Sequence, residues 1–119
     1  MEWKGVMPAI TTKFTDSDKL DINLFNKNLD FQLKSGVDAI VLAGSLGEAS
    51  TLTQDEKNIL TKNTVDFVNK KIPVVVNIAE QSTRDAIKSV KDAEKYGANG
   101  LMVLPPMRYK SGKKETINY

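Results

Sequence analysis

The stretch Asp38-Ala39-Ile40-Val41-Leu42-Ala43-Gly44-Ser45-Leu46-Gly47-Glu48 constrains this chain more than any other. A short apolar run stops abruptly at a turn bracketed by two glycines, and the turn carries one hydroxyl and one carboxylate. Apolar runs of roughly four to eight residues bounded by glycine read as strands buried on both faces. Such strands belong mainly to parallel sheets covered by helices, and polar groups just past their carboxyl ends stand where α/β folds build sites.

The rest of the chain supplies the matching elements. Gly5 to Thr12 reads as a first strand, although Pro8 has no amide to give a ladder. Phe14 to Lys19 is turn material. Asp21 caps a helix running to about Ser35, with Phe25, Leu29 and Leu33 on one face and Gly36 as its left-handed stop. After the opening strand, Thr53-Gln54-Asp55-Glu56 forms a capping box. The helix it starts places Leu60, Thr64, Phe67 and Val68 on one face and ends near Asn69. Pro73 to Ile78 is a β-branched strand with proline only at its first position. Ser82 to Asp85 opens a third helix, with Ala86, Val90 and Ala93 inward and Gly97 as its stop. Gly100 to Leu104 is a fourth strand, ended by Pro105-Pro106, and Lys113 to Tyr119 begins a fourth helix. Trp3 and the phenylalanines read as packing residues.

The order is therefore βαβαβαβ plus the start of a helix, which predicts parallel pairing through right-handed crossovers. Gly36-Val37-Asp38-Ala39-Ile40-Val41-Leu42 echoes Gly97-Ala98-Asn99-Gly100-Leu101-Met102-Val103 two strand-helix units later. A repeat of that kind suits a (β/α)8 barrel. The rhythm alone leaves a doubly wound open sheet as an alternative. A complete barrel takes about 250 residues, and this chain has 119. The expectation is one incomplete domain, residues 1–119, forming the amino-terminal half of a barrel with strands one to four parallel.

Composition removes several classes of function. With 17 basic and 15 acidic side chains, the charge balance gives no electrostatic case for nucleic acid or an anionic membrane. Cysteine and histidine are both absent, so disulfides, thiolate nucleophiles, imidazole-based catalytic pairs and Cys- or His-ligated zinc cannot be built. No apolar run reaches the length of a membrane helix, and Glu2 follows Met1 where a leader would be basic. The expected location is the cytoplasm.

Two clusters carry chemistry. In Gly44-Ser45-Leu46-Gly47-Glu48 the glycines allow a tight turn, and the amides of Ser45 and Leu46 with the Ser45 hydroxyl suit a small carboxylate or phosphate. The same residues also suit an ordinary strand-to-helix turn. The spacing is not that of a P-loop. In Pro106-Met107-Arg108-Tyr109-Lys110, an arginine suited to a carboxylate and a tyrosine suited to proton relay follow the fourth strand. Lys110, Lys113 and Lys114 read as a solvated basic edge. Asn77 interrupts an apolar strand, with Glu80 and Ser82 beyond it; a hydrogen bond to a neighbouring loop is the expected use of Asn77, and also of Thr11 and Thr12. A Schiff-base lysine must be desolvated to be nucleophilic, and no lysine lies inside an apolar strand.

Gly5 to Thr12, Ser35 to Ile40, and Gly44 to Glu48 with Leu52-Thr53 and Glu56 resemble the amino-terminal half of the dihydrodipicolinate synthase and N-acetylneuraminate lyase family. Ile72 to Val76 and Leu104-Pro105-Pro106 extend the resemblance over essentially the whole chain. It implies a (β/α)8 barrel and a lyase, synthase, aldolase or dehydratase that forms a Schiff base between a lysine and pyruvate or another 2-oxo acid. It implies no cofactor and no metal, and a homo-oligomer when full length. Gly44, Ser45, Leu46 and Gly47 would bind the substrate carboxylate, Ser45 and Tyr109 would serve catalysis, and Glu48 would be a structural member of the motif. Leu46 stands where the family has a second hydroxyl. Arg108 stands where the synthases have a tyrosine that crosses a dimer interface, and it would suit an additional substrate carboxylate. The Schiff-base lysine is expected outside this chain, which alone would be inactive. A reading of another class is a non-catalytic half-barrel that self-associates or complements a partner chain.

Overall fold

The computed structural model describes residues 3–106, 108 and 110–119. Its elements are α1 (Ile22–Lys34), β1 (Ile40–Leu42), a 3₁₀ turn (Ser45–Gly47), α2 (Gln54–Val68), β2 (Val74–Ile78), α3 (Thr83–Lys95), β3 (Gly100–Val103) and α4 (Lys113–Asn118).

Local chemistry sets the helix ends. The Asp21 carboxylate accepts from the Leu24 amide at 2.8 Å and starts α1. At α2 the Glu56 amide donates to the Thr53 hydroxyl at 3.3 Å, while the Thr53 amide donates to the Glu56 carboxylate at 2.8 Å. Ser82 accepts from the Asp85 amide at 3.1 Å and starts α3. Gly36 and Gly97 follow α1 and α3 with φ of 77° and 87°, the left-handed stops their positions predict.

The three strands lie in the order β1-β2-β3, all parallel, with Ile40 opposite Val74 and Val75 opposite Gly100. The expected first strand is not a regular one. Gly5 to Thr12 meets β1 through a single parallel bridge, Ala9 to Val41, held by Val41 N–H to Pro8 O and Ile10 N–H to Val41 O, each at 3.0 Å. Extending that ladder toward the N-terminus needs a donor at residue 8, and proline has none. The segment nevertheless occupies a strand's place beside β1.

Helices α1, α2 and α3 pack on one side of the sheet. Ile40, Leu42, Val74, Val76 and Ile78 share a single core cluster with Phe25 and Leu29 of α1, Leu60 and Val68 of α2, and Ala86 and Ala93 of α3. Those strand residues alternate, so they face one side. A doubly wound sheet would divide its helices between two faces; this one winds consistently, as a (β/α)8 barrel does. The alternate residues Val41, Val75 and Asn77 turn to the opposite side and are buried as well.

Three packing expectations change. On α2 the buried set is Leu60, Thr61, Thr64 and Val68, while Phe67 is at the surface. Positions 60, 61, 64 and 68 form the narrower stripe that helical geometry permits, and residue 67 falls at its margin. Trp3 and Phe31 are exposed.

Candidate functional site

The chain leaves β1 through Ala43, whose φ of 52° is left-handed. Gly44 is extended, Ser45 to Gly47 make one 3₁₀ turn, and Glu48 is left-handed at φ 57°. Both left-handed positions are held by residues with a Cβ, at a cost of roughly 1–2 kcal/mol each. The glycines serve a different purpose from the conformational freedom their pattern suggests. A Cβ on Gly47 would stand 3.0 Å from the Ile10 carbonyl oxygen, and one on Gly44 would stand 3.6 Å from the Ala9 Cβ. The turn is pressed against the amino-terminal segment, and Gly47 allows the approach.

The turn closes on itself through Gly47 N–H to Gly44 O at 3.0 Å and Glu48 N–H to Ser45 O at 3.1 Å. The amides of Ser45 and Leu46 precede these bonds, and neither has an acceptor among the described residues. Both residues are exposed. Two free amides and a hydroxyl at the carboxyl end of a buried parallel strand are the equipment that binds a small anion.

Two buried side chains hold the turn. Thr12 Oγ1 donates to the Gly47 carbonyl at 2.6 Å. Asn77 Nδ2 donates from the end of β2 to the Ala43 carbonyl at 2.8 Å. The loop bonds expected of Thr12 and Asn77 are thus present, while the Thr11 hydroxyl instead meets the Asn28 side chain of α1 at 3.4 Å. Asn77 Oδ1 is buried and has no partner among the described residues.

Between the turn and the end of β2 lies a depression of about 450 Å³, its lining including Ser45, Ser50, Lys57, Asn77 and Glu80. Beside it runs a polar network that sequence reading missed. Lys57 of α2 pairs with Glu80 at 2.9 Å, and the Ser89 hydroxyl of α3 lies 3.1 Å from Glu80 and 3.0 Å from Gln54. The Tyr119 hydroxyl donates to the Glu80 backbone carbonyl at 2.8 Å. Burial, followed by the nearby Glu80 and Asp85 carboxylates, pushes the Tyr119 phenol up from its ordinary value. These residues meet from α2, α3, the loop after β2 and the residue that follows α4, and no local pattern announces them.

Of the other expected site residues, Glu48 is exposed and its backbone carbonyl accepts from the Thr51 amide at 2.9 Å. Arg108 is exposed and has no hydrogen-bond or ion-pair partner among the described residues; Tyr109 lies outside those residues. None of β1, β2 and β3 contains a lysine. Lys57, largely buried, is on α2 and engaged by Glu80. Among the described residues no cluster of acidic groups suits a metal ion, and no helix is long and apolar enough to cross a membrane.

Among curated proteins the chain is similar to the 4-hydroxy-tetrahydrodipicolinate synthase of Rickettsia bellii (strain OSU 85-389), at 40% identity over 104 residues, which are 87% of this chain and 35% of the relative. The corresponding synthase of Clostridium novyi (strain NT) is 38% identical over 112 residues, 94% of this chain and 38% of the relative. The chain thus spans about a third of the length of the curated relatives it matches. Among solved structures, the dihydrodipicolinate synthase of Thermotoga maritima superimposes with a TM-score of 0.92 at 37% identity, over 96% of this chain and 38% of that one. A prophage protein of the dihydrodipicolinic acid synthase family from E. coli K12, in complex with pyruvate, gives 0.92 at 28% identity, over 98% and 39%. The Dihydrodipicolinate synthetase family profile matches residues 2–119. The one-sided parallel sheet and these likenesses agree: the chain belongs to the dihydrodipicolinate synthetase family and folds as part of that family's barrel.

Proposed function

We propose that this chain supplies the carboxylate-binding cradle of a lyase or synthase that activates pyruvate or a similar 2-oxo acid as a Schiff base. The observation that carries the reading is the pair of unacceptored amides, Ser45 and Leu46, beside the Ser45 hydroxyl at the end of β1. A carboxylate takes up such donors through charge-assisted hydrogen bonds. Leu46 contributes only its amide, so the cradle offers one hydroxyl. Membership of a family whose relatives are named synthases favours this reading over a non-catalytic half-barrel. Pyruvate in the related prophage protein points to the same substrate class. In the full-length protein this domain would work within a homo-oligomer in the cytoplasm, with no cofactor.

The nucleophile of this reading is a lysine outside this chain. Treatment of the chain with pyruvate and borohydride, followed by intact mass, is expected to give no reduced adduct. An adduct on any lysine would overturn the assignment.

Arg108, exposed after β3, is proposed to take a second substrate carboxylate, and Tyr109 to relay a proton. Arg108→Ala in the full-length enzyme is expected to shift preference from dicarboxylic toward monocarboxylic 2-oxo acids. An unchanged ratio of kcat/KM for the two classes would refute that role.

A further inference from the structure

We infer that Thr12 and Asn77 are positioning residues for carboxylate recognition, bracing the Ser45 turn from both of its ends. The inference rests on the reading of that turn as a carboxylate cradle.

The direction of the Ser45 and Leu46 amides is set by the peptide planes between Ala43 and Gly47. The carbonyls at those two limits are held by side-chain donors: Asn77 Nδ2 on Ala43 at 2.8 Å and Thr12 Oγ1 on Gly47 at 2.6 Å. The donors come from opposite neighbours of β1, namely the amino-terminal segment bridged at Ala9 and the β2 strand paired in register. Both are 6% exposed, so water does not compete for either bond. The braces matter because Ala43 and Glu48 are held in left-handed conformations that a residue with a Cβ leaves readily. Released, the turn relaxes and the two amides rotate away from a shared target.

Asn77 is a poor choice for packing alone. It interrupts Val74-Val75-Val76 and Ile78 in a strand buried along its whole length. Its Oδ1 has no partner among the described residues, so it carries a desolvation cost that an apolar residue would not. What it provides is the donated bond to the carbonyl next to the cradle, and it lines the same depression as Ser45.

The test compares Thr12→Val, Thr12→Ser and Asn77→Val in the whole chain by ¹⁵N relaxation, pyruvate titration and thermal unfolding. Asn77→Asp, which is isosteric and lacks the amide donors, replaces Asn77→Val if that variant does not fold. Thr12→Val and Asn77→Val are expected to melt somewhat below the parent, each having lost one buried hydrogen bond, to raise the mobility of the Ser45 and Leu46 amides, and to weaken pyruvate binding about tenfold, equivalent to 1.4 kcal/mol. Thr12→Ser, which keeps the hydroxyl, is expected to behave as the parent. Unchanged mobility and affinity in both valine variants would overturn the proposal, as would losses that follow melting temperature and are not rescued by serine. If the parent chain fails to bind pyruvate, the functional reading falls, while the relaxation data still decide whether these residues brace the turn.

Discussion

At Gly47 a single absent methyl group lets two segments touch. The Cβ position faces the Ile10 carbonyl oxygen at 3.0 Å, a backbone atom that has no rotamer by which to yield. Gly47→Ala therefore has to shift the turn or the amino-terminal segment by a few tenths of an ångström, in a place also held by the 2.6 Å Thr12 bond. Overpacking of this kind costs about 1–3 kcal/mol, and urea unfolding is expected to show it; an unchanged midpoint would mean that the turn moves freely. The two glycines were legible in the sequence as a turn, but their physical role was not. Left-handed conformation falls instead on Ala43 and Glu48, because close approach between segments distant in sequence leaves no trace in a local pattern. Asn77 and Thr12 were legible as polar residues at strand ends with loop bonds to make. That their acceptors are the two ends of one turn emerges only from the assembled sheet.

Among the elements, α2 shows most directly how local chemistry becomes stability. The Thr53 backbone amide, and then its hydroxyl, hold the Glu56 carboxyl below its ordinary value of 4.5. A carboxylate favoured in the folded state contributes stability above its unfolded pKa and loses that contribution as pH falls through the folded value. The parent is thus expected to lose more stability between about pH 5 and pH 3 than Glu56→Gln, which does not titrate there. Parallel pH profiles from denaturant unfolding would contradict the capping account. Caps and helix stops were legible because each needs only a few adjacent residues: Asp21, Thr53, Ser82, Gly36 and Gly97 all act as their positions predict. The segment from Gly5 to Thr12 was harder to read. Its apolar character places it beside β1, yet regular pairing fails at the one residue without an amide, Pro8.

Across the whole molecule, one-sided winding is what brings the chemistry together. Parallel strands in sequential order put the ends of β1 and β2 side by side, so the Ser45 turn, Asn77 and the Lys57–Glu80 pair surround one depression. Helix-strand rhythm left an open sheet as an alternative, because periodicity records which residues are buried and not on which face each helix lands. The single core cluster shared by α1, α2 and α3 resolves it. The network of Lys57, Glu80, Ser89 and Gln54 escaped sequence reading for the same reason, since its members meet only after two crossovers. The claim that the turn after β1 is a carboxylate cradle is tested most directly by titrating the ¹⁵N-labelled chain with pyruvate. The amide resonances of Ser45 and Leu46 are predicted to shift first and furthest, saturating together; shifts confined to other residues, or none at these two amides, would contradict it.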